Sequence, residues 1–142
     1  MATVNIYLTY NGNCEAAFNC YRSVFGGEFS VFSRFKDMPS ESGACKTRDA
    51  EKIMHVCLPI SNETMLMASD LGSEWAAPFK EGNNCAISIN AGSREEADRL
   101  FNGLSAGGQV TMPIGNTFWG AYFGMFTDRF GINWMVNFDA QP

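Results

Sequence analysis

The sequence is short of positive charge and of histidine. Ten Lys and Arg stand against fifteen Asp and Glu, a formal net charge of −5, and there is one histidine. Binding to nucleic acid draws mainly on neutralised phosphates, so this balance argues against such a partner. It argues equally against an anionic membrane surface. Long apolar runs are missing too: none approaches the roughly 20 residues of a spanning helix. No basic segment precedes an apolar stretch at the start, so no secretory signal is expected. The cysteines, Cys14, Cys20, Cys45, Cys57 and Cys85, are odd in number and form no Cys-x-x-Cys. That pattern argues against a disulfide framework and against structural zinc. The expectation is a cytoplasmic chain with reduced, mostly buried thiols. No Gly-x-Ser-x-Gly elbow is present, so serine hydrolase chemistry has no support.

The composition that remains is globular. Of 142 residues, 46% are hydrophobic and 18% charged, which suits one packed domain, 1–142, rather than a disordered chain. An internal repeat sets its organisation. Gly26-Gly27 recurs as Gly107-Gly108, an offset of 81 residues. The same offset carries Val4 to Cys85, Ile6 to Ile87, Leu8 to Ile89, Glu15 to Glu96 and Ala16 to Ala97. Such a repeat decides architecture before any motif does.

Alternation over Thr3–Thr9 and Asn84–Asn90 predicts two half-buried strands. Each precedes a helix. The first spans about Asn13–Phe25, with Asn11 or Asn13 as its cap and Ala17, Phe18, Tyr21 and Phe25 on one face. The second starts at Ser93, with Glu96 completing a capping box. It buries Ala97, Leu100, Phe101 and Leu104. Three strands follow each Gly-Gly: Glu28–Phe35, Lys52–Ile60 and Glu63–Ser69, then Gln109–Met112, Trp119–Thr127 and Ile132–Phe138. The prediction is an α+β chain of two βαβββ modules, 1–70 and 84–142, with a linker at 71–83. The two sheets would form a curved mixed sheet around a trough, with the helices outside. Residues 36–50 read as a mobile loop, of a length that is often functional or flexible.

Strand parity then selects a face. If Val4, Ile6 and Leu8 meet the helix, Asn5, Tyr7 and Thr9 line the trough, and by repeat so do Ala86, Ser88 and Asn90. Polar groups converging on a concavity make a ligand site the leading reading. The competing one is a trough filled by its own side chains.

Several stretches carry a resemblance. Tyr7–Ala17, Tyr21–Gly27, Met54-His55, Met65–Met67, Ser69-Asp70, Phe118–Gly120, Phe123-Gly124, Asp128–Gly131 and Trp134 resemble PhnB-like proteins of the vicinal oxygen chelate superfamily. That superfamily includes glyoxalase I, extradiol dioxygenases and bleomycin resistance proteins. Some relatives carry a methyltransferase label, but no Gly-rich loop here opens a nucleotide-binding unit. The resemblance implies a homodimer and a divalent metal held by His, Gln and Glu from the first and last strand of each module. Those positions fall near Asn5 or Tyr7, near Ala86 or Ser88, at Met135, and near Met67 or Ser69. None is a histidine or a carboxylate, the donors that Zn²⁺, Ni²⁺ or Fe²⁺ would take. No metal and no cofactor is therefore expected.

His55 is a weak catalytic candidate. It shares a strand face with Cys57, and Asp70 is the nearest carboxylate across the hairpin. A structural histidine and a core cysteine are the plainer readings. Trp75, Trp119, Trp134, Phe118 and Tyr122 could stack on a flat ligand, fill a core or form a dimer seam. Met54, Met65, Met67, Met112, Met125 and Met135 suggest an adaptable lining.

The leading function is metal-independent binding, or sequestration, of a small organic molecule. Asn5, Tyr7, Thr9, His55, Ser88, Asn90, Trp119, Tyr122, Trp134, Met135 and Asn137 would contact it. The acidic balance favours a cationic ligand modestly, and the aromatic side chains favour an aromatic one. The alternatives are a lyase, isomerase or dioxygenase with an atypical metal site, and a protein-interaction module with a filled trough.

Overall fold

The computed structural model describes residues 2, 4–37, 50–61, 63–71 and 80–139. Most of the loop expected at 36–50, most of the 71–83 linker, Cys45 and Trp75 lie outside the described residues. The chain divides into two compact units, Met1–Phe79 and Lys80–Pro142.

In the first unit the order is β1 (Ile6–Tyr10), α1 (Cys14–Phe25), β2 (Val31–Arg34), β3 (Ile53–Pro59) and β4 (Met65–Asp70). A 3-10 turn at Phe35–Asp37, which the sequence pattern does not announce, follows β2. The sheet order is β1-β4-β3-β2, with β1 parallel to β4 and the other pairs antiparallel. In the second unit, β5 (Ile87–Asn90), α2 (Arg94–Ser105), β6 (Gln109–Asn116), β7 (Ala121–Thr127) and β8 (Asn133–Asp139) repeat this as β5-β8-β7-β6. These are two βαβββ modules in an α+β chain.

Each helix covers one face of its own sheet. In the first unit Ala17, Phe18 and Tyr21 of α1 are buried with Tyr10, Val56, Leu58, Leu66 and Ala68. Phe18 meets Tyr10 and Tyr21 edge to face at 6.2 and 5.4 Å. The Tyr10 hydroxyl donates to that of Tyr21 at 3.0 Å, so the polar tips are satisfied inside the core. Each such ring, fully buried, contributes roughly 1.5–3 kcal/mol. Gly26 ends the helix at φ 84°, a conformation that favours glycine, with its N–H on the Arg22 carbonyl.

The start of α1 corrects the sequence reading. Asn13 holds the cap position, but its side chain makes no capping bond. Asp70, from the end of β4, does that work. Its Oδ1 accepts the N–H groups of Gly12 and Cys14.

The second helix follows the local rule more closely. The Glu96 N–H donates to Ser93 Oγ, while the Glu96 carboxylate accepts from Gly92 N–H, one residue before the cap. Ala97, Leu100, Phe101 and Leu104 are buried with Phe126, Trp134 and Val136. Gly124 lets α2 come close: a Cβ there would lie 2.6 Å from Phe101 Cε2. Bulges in β6, between Val110 and Met112 and between Met112 and Gly115, lengthen that strand beyond the predicted Gln109–Met112.

Candidate functional site

Successive strand residues point to opposite faces, so registers fix what stands on the face turned away from each helix. In the first unit one cross-strand row is Tyr7, Met67, Cys57 and Val31. Beside it stand Thr9 and Ser69, paired with each other, and His55 and Ser33, likewise paired. In the second unit the row Ser88, Met135, Met125 and Met112 runs through all four strands. Its neighbour is Asn90, Asn137, Phe123 and Gly115.

The first-unit face centres on Tyr7 and His55. Their rings stack at 5.7 Å between centroids with planes 20° apart, and Tyr7 Oη lies 3.3 Å from His55 Nδ1. Which atom donates depends on the imidazole tautomer. Tyr7 is half exposed and His55 partly so, which leaves the pair open to a ligand. Cys57, 4% exposed, directs its thiol to Met65 Sδ at 3.5 Å.

Asp70 is not the orienting partner of His55. It is 4% exposed on the helix side, its Oδ1 holding Gly12 and Cys14 and its Oδ2 accepting the Ile53 N–H at 2.9 Å. The partner that positions His55 is Tyr7.

In the second unit Asn137 Nδ2 donates to Asn90 Oδ1 at 3.4 Å. Thr127 Oγ1 donates to Asn133 Oδ1 at 2.7 Å, and Asn133 Nδ2 to the Cys85 carbonyl at 3.1 Å. A hollow of about 510 Å³ lies on this face, lined among others by Ala86, Thr111, Met125, Thr127, Asn133 and Met135. Trp119, 56% exposed in the turn before β7, leans edge-on against Phe123 at 5.9 Å.

Two aromatic residues predicted to contact a ligand stand on the other face. Trp134 is 1% exposed, pairs with Phe126 in the layer under α2, and donates its indole N–H to Asp128 Oδ2 at 2.8 Å. Tyr122 donates its hydroxyl to Asp98 of α2 at 2.5 Å and lies under the Arg94 guanidinium. That hydrogen bond holds the Tyr122 hydroxyl above the usual phenol range, with burial and the Asp98 charge adding to it. Parity is the reason: Trp134 neighbours Met135 in β8, and only one of them can face away from the helix. Asn5 precedes β1 with the parity of Tyr7. Sequence reasoning passed over Ser33, Phe123, Thr127 and Asn133. Counting alternation back from Met135 through the Asp128–Gly131 turn reaches Asn133, Thr127 and Phe123.

The thiols are less uniformly buried than expected: Cys14 and Cys57 are buried, Cys20 is intermediate and Cys85 exposed. The registers also test the metal that the resemblance implies. Tyr7 stands opposite Met67, and Ser88 opposite Met135. A phenol, a hydroxyl and two thioethers do not fit a hard or borderline divalent ion. Among the described residues no three His, Cys, Asp or Glu side chains group to hold one. Among the same residues no helix is long and apolar enough to cross a membrane.

With the two βαβββ modules the comparisons agree. The Escherichia coli (strain K12) protein YjdN is 29% identical over 138 residues, 95% of this chain and 94% of YjdN. The crystal structure of protein PA1353 from Pseudomonas aeruginosa is similar at 45% identity and a TM-score of 0.85, covering 98% of each chain. A PhnB protein from Bacillus cereus is similar at 25% identity and 0.76, over 96% of this chain and 99% of its own. Residues 3–136 match the Glyoxalase/Bleomycin resistance protein/Dioxygenase superfamily, and it is to this family that the chain belongs.

Proposed function

We propose that the chain binds a small organic molecule without a metal ion, on the sheet faces turned away from the helices. One observation carries this reading. The positions where the resemblance would put metal ligands fall at Asn5 or Tyr7, Met67 or Ser69, Ala86 or Ser88, and Met135, with Tyr7 opposite Met67 and Ser88 opposite Met135, and none of them is a histidine or a carboxylate. Such groups hydrogen-bond and pack against a ligand but do not polarise one as a Lewis acid does. Lyase, isomerase or dioxygenase chemistry at a metal would need a donor set that the described residues do not assemble.

The test pairs metal analysis of untagged protein, purified without chelator, with a thermal-shift screen of small organic compounds. A compound at 100 times its Kd stabilises by about 2.7 kcal/mol, a rise of several degrees in Tm for a chain of this size. The expected result is no stoichiometric divalent metal and a shift that survives added chelator. Near-stoichiometric metal, or a shift abolished by chelator, overturns the proposal.

A further inference from the structure

We infer that the second unit's open face takes an uncharged aromatic compound, seated on the Met135–Met125–Met112 row. This deepens the binding reading above and rests on it.

The first argument is the shape and chemistry of the row. Three thioethers stand side by side on β8, β7 and β6. At the usual strand spacing they span about 10 Å, the scale of a fused two-ring system. Methionine sulfur is polarizable and favours aromatic edges and faces. Phe123 flanks the row, with Trp119 standing edge-on against it. On the other side the hollow of about 510 Å³ has the volume of a site for a drug-sized molecule.

The second argument is charge. On this face the strands present thioethers, amides, hydroxyls and the Phe123 ring, and the one charged group of that parity is Asp139, at the last position of β8. The acidic side chains of α2, Glu95, Glu96 and Asp98, belong to the helix on the opposite side. The net charge of −5 is therefore not gathered on this face, which suits the aromatic rather than the cationic form of the expected ligand. An ion placed on the thioethers would lose hydration with no opposing charge beside it, while a neutral ring loses little. The amides and hydroxyls at the margins suit neutral hydroxyl or carbonyl groups. Asn137 and Asn90 are held to each other, as are Thr127 and Asn133, so they present fixed orientations.

The test is calorimetry with three near-isosteric probes: 2-naphthalenemethanol, 2-naphthoate and 2-naphthylmethylammonium. The alcohol is expected to bind at least about tenfold more tightly than either ion. In protein carrying ¹³C-methyl methionine, it should shift Met112, Met125 and Met135 and leave Met54 of the first unit in place. Met125→Glu should weaken the alcohol about tenfold and strengthen the ammonium by a similar factor. Met125→Leu, which keeps the volume, guards against misfolding and should retain the ranking. An ion bound as tightly as the alcohol overturns the charge inference and leaves the binding reading standing. Shifts confined to first-unit methionines overturn the placement. Failure of all three probes to bind overturns the aromatic seat, whereas a non-aromatic compound that still shifts Tm in the screen keeps the broader reading.

Discussion

The carboxylate of Asp70, at the end of β4, accepts the N–H of Cys14, at the start of α1, at 2.9 Å. The same side chain takes the N–H groups of Gly12 and Ile53, so one buried group ties helix, β3 and β4 together. Asp70→Ala leaves the buried Cys14 and Ile53 donors without an acceptor and frees the part-buried Gly12 one, at about 1–3 kcal/mol for each group that water cannot reach. A loss of at least about 3 kcal/mol is expected in urea unfolding. Asp70→Asn keeps one acceptor oxygen but turns an amide NH₂ toward a donor, and should fall between wild type and alanine. A loss below about 1 kcal/mol for the alanine variant would show that the carboxylate does not hold the junction.

The Tyr7–His55 pair sits on a partly exposed face, turned away from α1. Tyr7→Phe keeps the ring and deletes the 3.3 Å contact to Nδ1. Its cost in stability should stay under about 1 kcal/mol, while the His55 ring resonances shift in NMR. His55→Ala should be similarly mild. A loss above about 2 kcal/mol would return His55 to the core.

The architecture was legible because it rests on local, repeated signals. Gly26-Gly27 and Gly107-Gly108, the alternating first strands and the Ser93–Glu96 box are each read within a few residues. Asp128 is a local feature of the same kind: its Oδ1 takes the N–H groups of Phe130 and Ile132, within the turn that it begins. Asp70 was not, because its partners Gly12 and Cys14 lie 58 and 56 residues away. The local rule put Asn13 in its place. The site was half legible for a similar reason. Tyr7 and Ser88 follow from parity, and Met135 from the spacing that the resemblance implies. Trp134 and Tyr122 were judged by aromatic character, whereas strand parity puts them under the helix, where they bond Asp128 and Asp98.

Two glycines in adjacent strands should respond oppositely to alanine. At Gly124 a Cβ would meet Phe101 Cε2 at 2.6 Å and the Ile114 Cα at 2.8 Å, and the backbone atom cannot swing away. Gly124→Ala should cost about 1–3 kcal/mol by overpacking the contact between α2 and the sheet. At Gly115, on the open face, nothing lies within 4 Å. Gly115→Ala should change stability by less than about 0.5 kcal/mol. Equal effects in thermal unfolding would contradict the packing described.

The cysteines should divide by environment. Burial pushes the Cys14 thiol well above the usual range, and the nearby Asp70 and Glu15 charges push it further. It therefore stays protonated and unreactive in the folded chain. Cys85 is exposed at the hollow's margin. Iodoacetamide near neutral pH, read by peptide mass spectrometry, should label Cys85 in the native state and Cys14 only with global unfolding. Labelling of both at one rate would contradict the burial of Cys14.

Glu15 and Arg34 give the fold an acid-sensitive joint. Where β3 bulges at Met54, between the Ser33–His55 and Arg34–Ile53 pairs, the Arg34 guanidinium makes a two-point bond to the α1 carboxylate, at 2.9 and 2.7 Å. That hydrogen bonding, with the Arg34 charge, outweighs partial burial and holds Glu15 below the usual carboxylate range. As pH falls the unfolded chain takes up this proton first. The stabilisation is thus complete above the ordinary glutamate value of about 4.3 and is lost as pH drops through the lower, folded one. The Glu15 side chain is 44% exposed, so solvent screens the pair and the effect is small. Thermal unfolding of wild type and Glu15→Gln across the acid range should give curves that separate above the glutamate range and converge below it. Curves that stay parallel throughout would show that the pair contributes nothing that titrates.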